Sequence, residues 1–485
     1  MRLVKIFSLV FIVAATCGCE LPSTAKNNES SVPGCNSQGK SDQKNPHCVT
    51  PTPTPSSTPS STPSSTPTPT SKGWTWMGGS QLVDQPGTYT VQGIPSSSIN
   101  PGGKAQPCSW TDSAGNLWIF GGGSYNSAQQ HSLRQDLWKY STSDKQWTWV
   151  GGSATGQLGI YGTKGVASPT NIPGARLAAT CWVDNAGNFW LFGGVGYDVG
   201  SGGTGLSDLW KYSPSLNEWT WMSGPIYSNC FVQGPICPAN VPTARYGASG
   251  WTDSSGNLWL FGGEGDTALN DLWKFSPSTG MWTWMKGSNS SGSYGIRGVA
   301  DPSNIPPSRE GAMTWTDTSG NFWLFGGAGY TAQLDDVWKY NPLTNEWIWI
   351  SGSNSTNQPP SYGQMGVAGP TNDPGSRFNS AVWADTSGNL WLFGGGQFGT
   401  SGELADLWMY SITSNQWTWI AGSYQAGAVY GTLGVASSTN TPGSRVFATS
   451  WVDSSGHFWL LGGDGFGGDP NGGILNDIWK LDTGH

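Results

Sequence analysis

The side chains of this chain that could perform acid–base chemistry are a few carboxylates. Glu310 stands beside Arg309 in a stretch of otherwise small residues, while Glu264 and Asp464 each follow a Gly-Gly pair directly. General acid–base catalysis requires a carboxyl group of suitable pKa and a positioned partner. Glu310 has no such partner beside it in the sequence, so these residues indicate catalysis only weakly.

Metal and nucleophile chemistry has still less support in the sequence. There is no CxxC, no Cys/His cluster, no Ser-His-Asp arrangement and no phosphate-binding loop. Beyond residue 72 the histidines are His131, His457 and the terminal His485, and His457 takes the place of the Asn in a repeated turn (SSGHFW against SSGNLW). We therefore expect neither a metal nor a cofactor.

Charged residues recur at two fixed positions of a repeated unit. The first position, six residues before a recurring Trp, is basic and could contact an acidic ligand or pair with an Asp or a loop carbonyl of the scaffold. It is occupied by Lys104, Arg176, Arg245, Arg309, Arg377 and Arg445. The second is acidic, and we expect it to cap a turn or pair with the basic residue rather than bind a metal. It is occupied by Asp136, Asp208, Asp271, Asp336, Asp406 and Asp477.

A third recurring position, three residues after each Gly-Gly pair, is mostly aromatic. Exposed aromatic rings can stack on sugars or hold a peptide, whereas buried ones would only pack one loop against its neighbour. Asp266 occupies the position in one unit, which suggests exposure to solvent. The six residues are Tyr125, Tyr197, Asp266, Tyr330, Phe398 and Phe466.

Four short segments in each unit must position these residues. The signature Trp of the first segment recurs at intervals of 64 to 72 residues, at positions 110, 182, 251, 315, 383 and 451. The later segments read N-[LF]-W-[LI]-[FL]-G-G, D-[LVI]-W-[KM]-[YFL] and W-[TI]-W, with His in place of the first Asn in the last unit. Short runs of β-type residues bounded by Gly, Asp, Asn and Ser predict four β-strands in each unit.

The tryptophans fix the number of units. Complete units carry five, but the last unit has only Trp451, Trp459 and Trp479, and the missing pair stands near the other end of the chain as Trp74 and Trp76. Six units of five account for all 30 tryptophans of the sequence. A sheet without its outer strand would leave an open edge. The sequence therefore predicts an all-β, six-bladed propeller over residues 73–485, whose last blade is closed by an N-terminal strand at residues 73–79.

The units resemble a known family. The Gly-Gly pair, the Asp-hydrophobic-Trp-x-Tyr strand and the closing Trp are similar to the kelch motif, and the whole series resembles the bacterial kelch and galactose-oxidase-central-domain group, here with features of a lipoprotein. In some kelch propellers an Arg at the repeated basic position contacts acidic peptides. A likeness to galactose oxidase would imply copper held by two Tyr and two His, but no Tyr-His pair occurs, so copper oxidation is not expected. A sugar mutarotase or epimerase needs only acids and bases at the mouth of the propeller, and it stays an alternative.

The propeller topology places the long connections on one face. Because strands alternate in direction, the second-to-third loops and the connections between blades share a face, and the tight turns occupy the other. Variable loops carry recognition in most folds. We therefore expect a ligand on the long-loop face.

The first 72 residues indicate export and tethering. Residues 1–19 have the basic start and short apolar run of a signal peptide. Thr16-Cys17-Gly18-Cys19 resembles a bacterial lipobox, which fits lipidation of Cys19 better than of Cys17 and leaves an ordinary cleaved signal as the alternative. Residues 20–72 form a tether, of which 51–70 are Pro, Thr and Ser only, a composition that cannot bury a core.

The remaining cysteines suit an oxidising compartment. Cys230 and Cys237 lie in one connection and are the best candidates for a disulfide, and Cys35 and Cys48 could bridge within the tether. Cys108 and Cys181 fall on neighbouring inner strands at different offsets from their Trp. The sequence therefore gives no reason to pair them.

These observations predict a monomeric binding module displayed at the bacterial outer membrane or cell surface through a lipid anchor, with a glycan or a protein as its ligand. A net charge of −8 argues against nucleic acid. The alternatives are the sugar-active enzyme and a non-catalytic structural or adhesion component of the envelope.

Overall fold

A computed structural model of the protein describes residues 73–125, 131–200, 204–227, 240–288, 292–329, 332–397 and 402–483. The predicted signal peptide and tether, and Cys230 and Cys237 with their proposed disulfide, lie outside these ranges. Within them no helix is long and apolar enough to cross a membrane.

Six four-stranded antiparallel sheets follow one another along the chain, and we number them as blades 1 to 6. The inner strands are Cys108–Thr111, Thr180–Val183, Ser249–Thr252, Met313–Thr316, Ala381–Ala384 and Thr449–Val452. The second strands are Leu117–Phe120, Phe189–Phe192, Leu258–Phe261, Phe322–Phe325, Leu390–Phe393 and Phe458–Gly465. Each inner strand contacts the inner strand of the next blade, and blade 6 returns to blade 1. The predicted six-bladed propeller is therefore confirmed.

Two further strands complete each blade. The third strands are Leu137–Ser141, Leu209–Ser213, Leu272–Ser276, Val337–Asn341, Leu407–Ser411 and Gly473–Asp482. The outer strands of blades 1 to 5 are Gln146–Gly151, Glu218–Ser223, Met281–Lys286, Glu346–Ser351 and Gln416–Ala421. The outer strand of blade 6 is Gly73–Gly78 from the start of the propeller, paired antiparallel with the last strand so that Trp76 lies opposite Trp479. The predicted N-terminal latch is confirmed.

Short strands extend some blades beyond the Gly-Gly pairs. They are Gly123–Tyr125 with His131–Leu133, Arg176–Leu177 with Val195–Gly196 and Thr204–Gly205, Gly396–Gln397 with Gly402–Glu403, and Arg445–Val446 with the end of the second strand of blade 6. In blades 3 and 4 single bridges occupy the same place, between Tyr246 and Glu264 and between Glu310 and Ala328. This upper layer of strands forms the rim of the long-loop face.

The core lies between neighbouring blades and is built largely of tryptophan. Trp74 of the latch packs against Trp383 and Phe393 of blade 5 with ring centroids 6.2 and 5.2 Å away, so the latch joins two blades. Four of the six inner-strand tryptophans also donate hydrogen bonds to the next blade, as Trp110 Nε1 does to the Trp190 carbonyl at 3.0 Å. Burial of these large rings stabilises the closed ring of sheets.

The long connections between blades cover the outer strands of the propeller. Each well-described connection runs along the outer strand of the blade that follows it, as Ser168 bridges Trp219 and Asp301 bridges Trp347. These segments therefore act as edge covers for the outer strands. In blade 3 the outer strand is more open, and Trp284 is 57% exposed.

A disulfide joins blades 1 and 2 through Cys108 and Cys181, whose Cα atoms are 5.8 Å apart. The sequence argument left this pair open because the two cysteines have different offsets from their Trp. That argument assumed the matched register of paired strands, but the two inner strands belong to separate sheets. Strands that do not share hydrogen bonds can bring unequal positions together.

Candidate functional site

The ring of six basic residues belongs to the interior. Each basic side chain is at most 1% exposed and pairs with the recurring Asp of its own blade, with N–O distances of 2.5 to 2.8 Å. The pairs are Lys104–Asp136, Arg176–Asp208, Arg245–Asp271, Arg309–Asp336, Arg377–Asp406 and Arg445–Asp477. The pairing agrees with the scaffold role that the sequence left open for this ring, and its ligand-binding role stays a prediction.

Further hydrogen bonds show why the ion pairs serve the scaffold. Arg176 also donates to the carbonyl of Gly193, the first glycine of its Gly-Gly pair, and so connects the rim to the second and third strands. The Tyr161 hydroxyl donates to Asp208 at 2.7 Å. Burial raises the pKa of Asp208, but the charge and hydrogen bonds of Arg176 outweigh it and hold that pKa below its ordinary value. Four further tyrosines bond the equivalent Asp in the same way: Tyr89, Tyr294, Tyr362 and Tyr430.

The ring of aromatic residues is only partly described. Tyr125, Tyr197 and Phe466 are half-buried, and Tyr125 and Tyr197 pack against apolar clusters of the rim. Asp266 is exposed, as its residue type suggested. Tyr330 and Phe398 lie outside the described residues. The three described aromatics therefore retain some accessible ring surface, and their ligand-binding role stays a prediction.

A closed ring of hydrogen bonds surrounds the central axis where the channel meets the rim. One residue of each blade, two positions after the basic residue, has a φ between 50° and 63°. The amide of each donates to the carbonyl of its counterpart in the preceding blade at 2.8 to 3.3 Å, and the amide of the first blade donates to the sixth. We call these residues the collar: Gln106, Ala178, Gly247, Gly311, Asn379 and Phe447. The collar residues, with small residues below them such as Ser109 and Ser450, line an axial cavity of about 230 Å³.

Two carboxylates meet beside the collar between blades 3 and 4. The Oε2 atom of Glu310 lies 3.0 Å from the point that a Cβ atom on Gly247 would occupy, so this carboxyl rests over the collar of the neighbouring blade. Glu264 belongs to the rim of blade 3, the blade that contains Gly247, and is 9% exposed. We call Glu264 and Glu310 the acidic pair. The structure thus supplies for Glu310 the neighbour that its sequence context lacked.

The surroundings of the acidic pair disfavour ionisation. Burial raises the pKa of Glu264 to about 7. Burial and the charge of Glu264 together raise the pKa of Glu310 to about 8. Among the described residues no Lys, Arg or His forms an ion pair with either carboxylate. Perturbed carboxyl groups of this kind are concentrated at functional sites.

Other blade junctions show that the acidic pair is not a structural necessity. The position of Glu264 is Val195 in blade 2 and Ala328 in blade 4, and these residues share apolar clusters with Tyr246 and Phe378 of the next blade. At these two junctions an apolar pair therefore occupies the place that the acidic pair has between blades 3 and 4. Carboxylates without partners at such a place reduce stability, so we take the acidic pair as the candidate functional site.

The described residues contain no group of three or more His, Cys, Asp or Glu side chains that could hold a metal ion. His457 forms the expected turn contact, with its Nδ1 atom 3.0 Å from Asp453 Oδ2. It therefore has the role that Asn has in the other units.

Comparison with known proteins agrees with the fold. Residues 227–370 match the family model described as the KLHDC2/KLHL20/DRC7 Kelch-repeats domain. No curated protein shows a significant match to the chain. The matched segment contains blades 3 and 4, including the acidic pair, and the six sheets around one axis are those of a kelch-like β-propeller.

Proposed function

We propose that this kelch-like propeller is an exported, membrane-tethered binding module whose ligand contacts the collar and the acidic pair. The kelch propeller fold suggests a protein-binding module. The observation that carries the proposal is the junction of blades 3 and 4, where two carboxylates without cationic partners replace the apolar pairs found between blades 2 and 3 and between blades 4 and 5.

Export and tethering rest on the N-terminal sequence and on the disulfide. Disulfides persist in oxidising compartments and are rare in the cytosol, and the Cys108–Cys181 bond agrees with the signal-like residues 1–19. Lipidation of Cys19 would place the propeller at the outer membrane or cell surface, with residues 20–72 as a spacer. Incorporation of labelled palmitate that is lost in Cys19→Ser and retained in Cys17→Ser would support this anchor. Absence of label from Cys17→Ser as well as from Cys19→Ser would refute this anchor.

The binding role is tested by screening the full chain against a glycan array and against envelope and host proteins. A ligand of the mouth should lose affinity in Glu310→Gln and in Tyr246→Ala. A ligand whose affinity is unchanged in both variants would place recognition elsewhere. The predicted monomeric state is checked separately by light scattering.

A second candidate is a sugar mutarotase or epimerase, and the acidic pair favours it. Two carboxyl groups with pKa values of about 7 and 8 have the proton affinities that suit general acid and base roles near neutral pH. NMR observation of anomer exchange in reducing sugars tests this activity. Exchange at the uncatalysed rate with all sugars tried would exclude it and leave binding, or a structural envelope role, as the function.

A further inference from the structure

At the mouth of the propeller, the acidic pair has no cation paired with it among the described residues. The six residues of the basic ring are paired with their aspartates inside the blades, and none is available to the acidic pair. Glu264 is nine-tenths buried, and no hydrogen bond from a described side chain reaches its carboxylate. A buried carboxylate without a partner is costly unless a cation joins it.

The axial cavity reaches the collar on the side of the acidic pair, and neither carboxylate is among the residues that line it. The collar residues of blades 2, 3 and 4 are Ala178, Gly247 and Gly311, whereas the opposite side carries the large ring of Phe447. Glycine at position 247 leaves the carboxyl of Glu310 lying directly over the backbone. A side chain arriving along the axis can therefore approach the acidic pair without displacing a collar side chain.

The neighbouring residues favour a cation on an apolar stem. Tyr246 is half-buried and forms a backbone bridge with Glu264, and Phe378 is buried in the rim of blade 5. Lysine has a four-carbon apolar stem and a compact ammonium group with three donors, enough to bond both carboxylates. A calcium ion would take six to eight oxygen ligands, and no third acidic side chain joins the pair among the described residues.

We infer that the acidic pair is the counter-ion for a lysine side chain of a protein ligand, which inserts its ammonium group at the collar between blades 3 and 4. This inference rests on the proposed binding function and names the chemistry of its ligand. Lysine recognition places one positive charge against two carboxylates. The surrounding rim contacts the methylene stem and the peptide beside it.

Ligand-observed NMR with the full chain and the probe acetyl-Gly-Lys-Gly-amide tests the inference. The peptide should bind weakly, and acetylation of its lysine should reduce the affinity by about tenfold or more, since the charge is lost. Glu264→Gln and Glu310→Gln should each cause a similar loss. Both changes preserve side-chain shape and remove a strained charge, so circular dichroism should show folded proteins.

Asp335→Asn is the matched control. Asp335 is also buried, at 3% exposure, and burial with the charges of Asp373 and Asp336 raises its pKa to about 8. Asp335 accepts a hydrogen bond from the amide of Ser353 at 3.2 Å, and unlike Glu310 it does not lie over Gly247 of the collar. Its substitution should leave the affinity for the lysine peptide unchanged.

Several outcomes would overturn the inference. Equal binding of the acetylated and unacetylated peptides, absence of binding by the lysine peptide, or a preference for glucosamine over the peptide would each exclude a lysine site. So would Ca²⁺ binding that is lost in Glu264→Gln. If a ligand from the array or protein screen still depends on Tyr246, the proposed binding function stands while the lysine inference fails; if no ligand is found by either route, both fail.

Discussion

Trp74 offers the sharpest test of how the propeller is closed. Its side chain is 5% exposed and packs between blades 5 and 6, although it lies about 400 residues from the strand that it pairs with. Replacement of a buried Trp by Ala removes the transfer free energy of the ring and leaves a cavity, which together cost about 3–5 kcal/mol. We expect Trp74→Ala to lower the free energy of unfolding by roughly that amount.

The effect is measurable by thermal and chemical unfolding. With an unfolding entropy of about 2 cal/mol/K per residue over roughly 400 residues, a loss of about 4 kcal/mol lowers Tm by roughly 5 °C. Trp284→Ala is the control, because Trp284 is the second Trp of the corresponding outer strand in blade 3 and is 57% exposed. Its replacement should cost less than about 1 kcal/mol. Equal shifts for the two variants, or no shift for Trp74→Ala, would refute the latch as a stabilising element.

Three further predictions concern the buried charges and the disulfide. Arg309→Ala should cost about 3–5 kcal/mol in urea unfolding, because it leaves the buried Asp336 carboxylate without its cationic partner. An unchanged midpoint would contradict the scaffold role. Cys108→Ser should cost up to about 4 kcal/mol for a bond that spans 73 residues, and reductant should lower the wild-type midpoint to that of the variant. The folded pKa values of Glu264 and Glu310 lie above the ordinary value of 4.5, so the folded protein retains protons that the unfolded chain loses. The free energy of unfolding of the wild-type protein in urea should therefore fall, relative to that of the double variant Glu264→Gln/Glu310→Gln, as pH rises from about 4.5 to 8. A difference between the two proteins that does not change with pH would contradict the buried environment assigned to the two carboxyl groups.

The fold could be read from the sequence because its determinants are local and repeated. Trp-x-Asp and the Gly-Gly segment each specify a strand or a turn, and the missing pair in the last unit led to Trp74 and Trp76. These inferences need only the order of residues along the chain. Six repetitions of the same pattern then fix the blade count.

The candidate site could not be read in the same way, because it depends on contacts between blades. Glu264 and Glu310 belong to different repeats, and their meeting follows from the lateral offset of one blade against the next. Arg309 was open to two roles in the sequence, since position alone does not say whether a guanidinium faces solvent or the third strand. Cys108 and Cys181 illustrate the same limit, because their pairing depends on two strands that share no hydrogen bonds.

The role of the edge covers was also not evident from the sequence. A connection of more than 20 residues resembles a recognition loop in sequence, yet Asn171 uses its amide to bond the carbonyl of Trp219 in the outer strand. Asn304 and Asn372 do the same in blades 4 and 5. The Tyr and Asn of these segments are therefore structural, and the part of the long-loop face open to a ligand is smaller than connection length suggests.

The collar has a consequence for the electric field of the mouth. Its six hydrogen bonds run head to tail around a circle, so the chain of donors and acceptors has no free end. Bond dipoles arranged in a circuit cancel along its axis, unlike those of a helix, which add toward its ends. The hydrogen bonds of the collar thus contribute little net dipole along the axis of the mouth. The field that a charged group meets along the axis therefore comes from side chains of the rim, among them the acidic pair between blades 3 and 4.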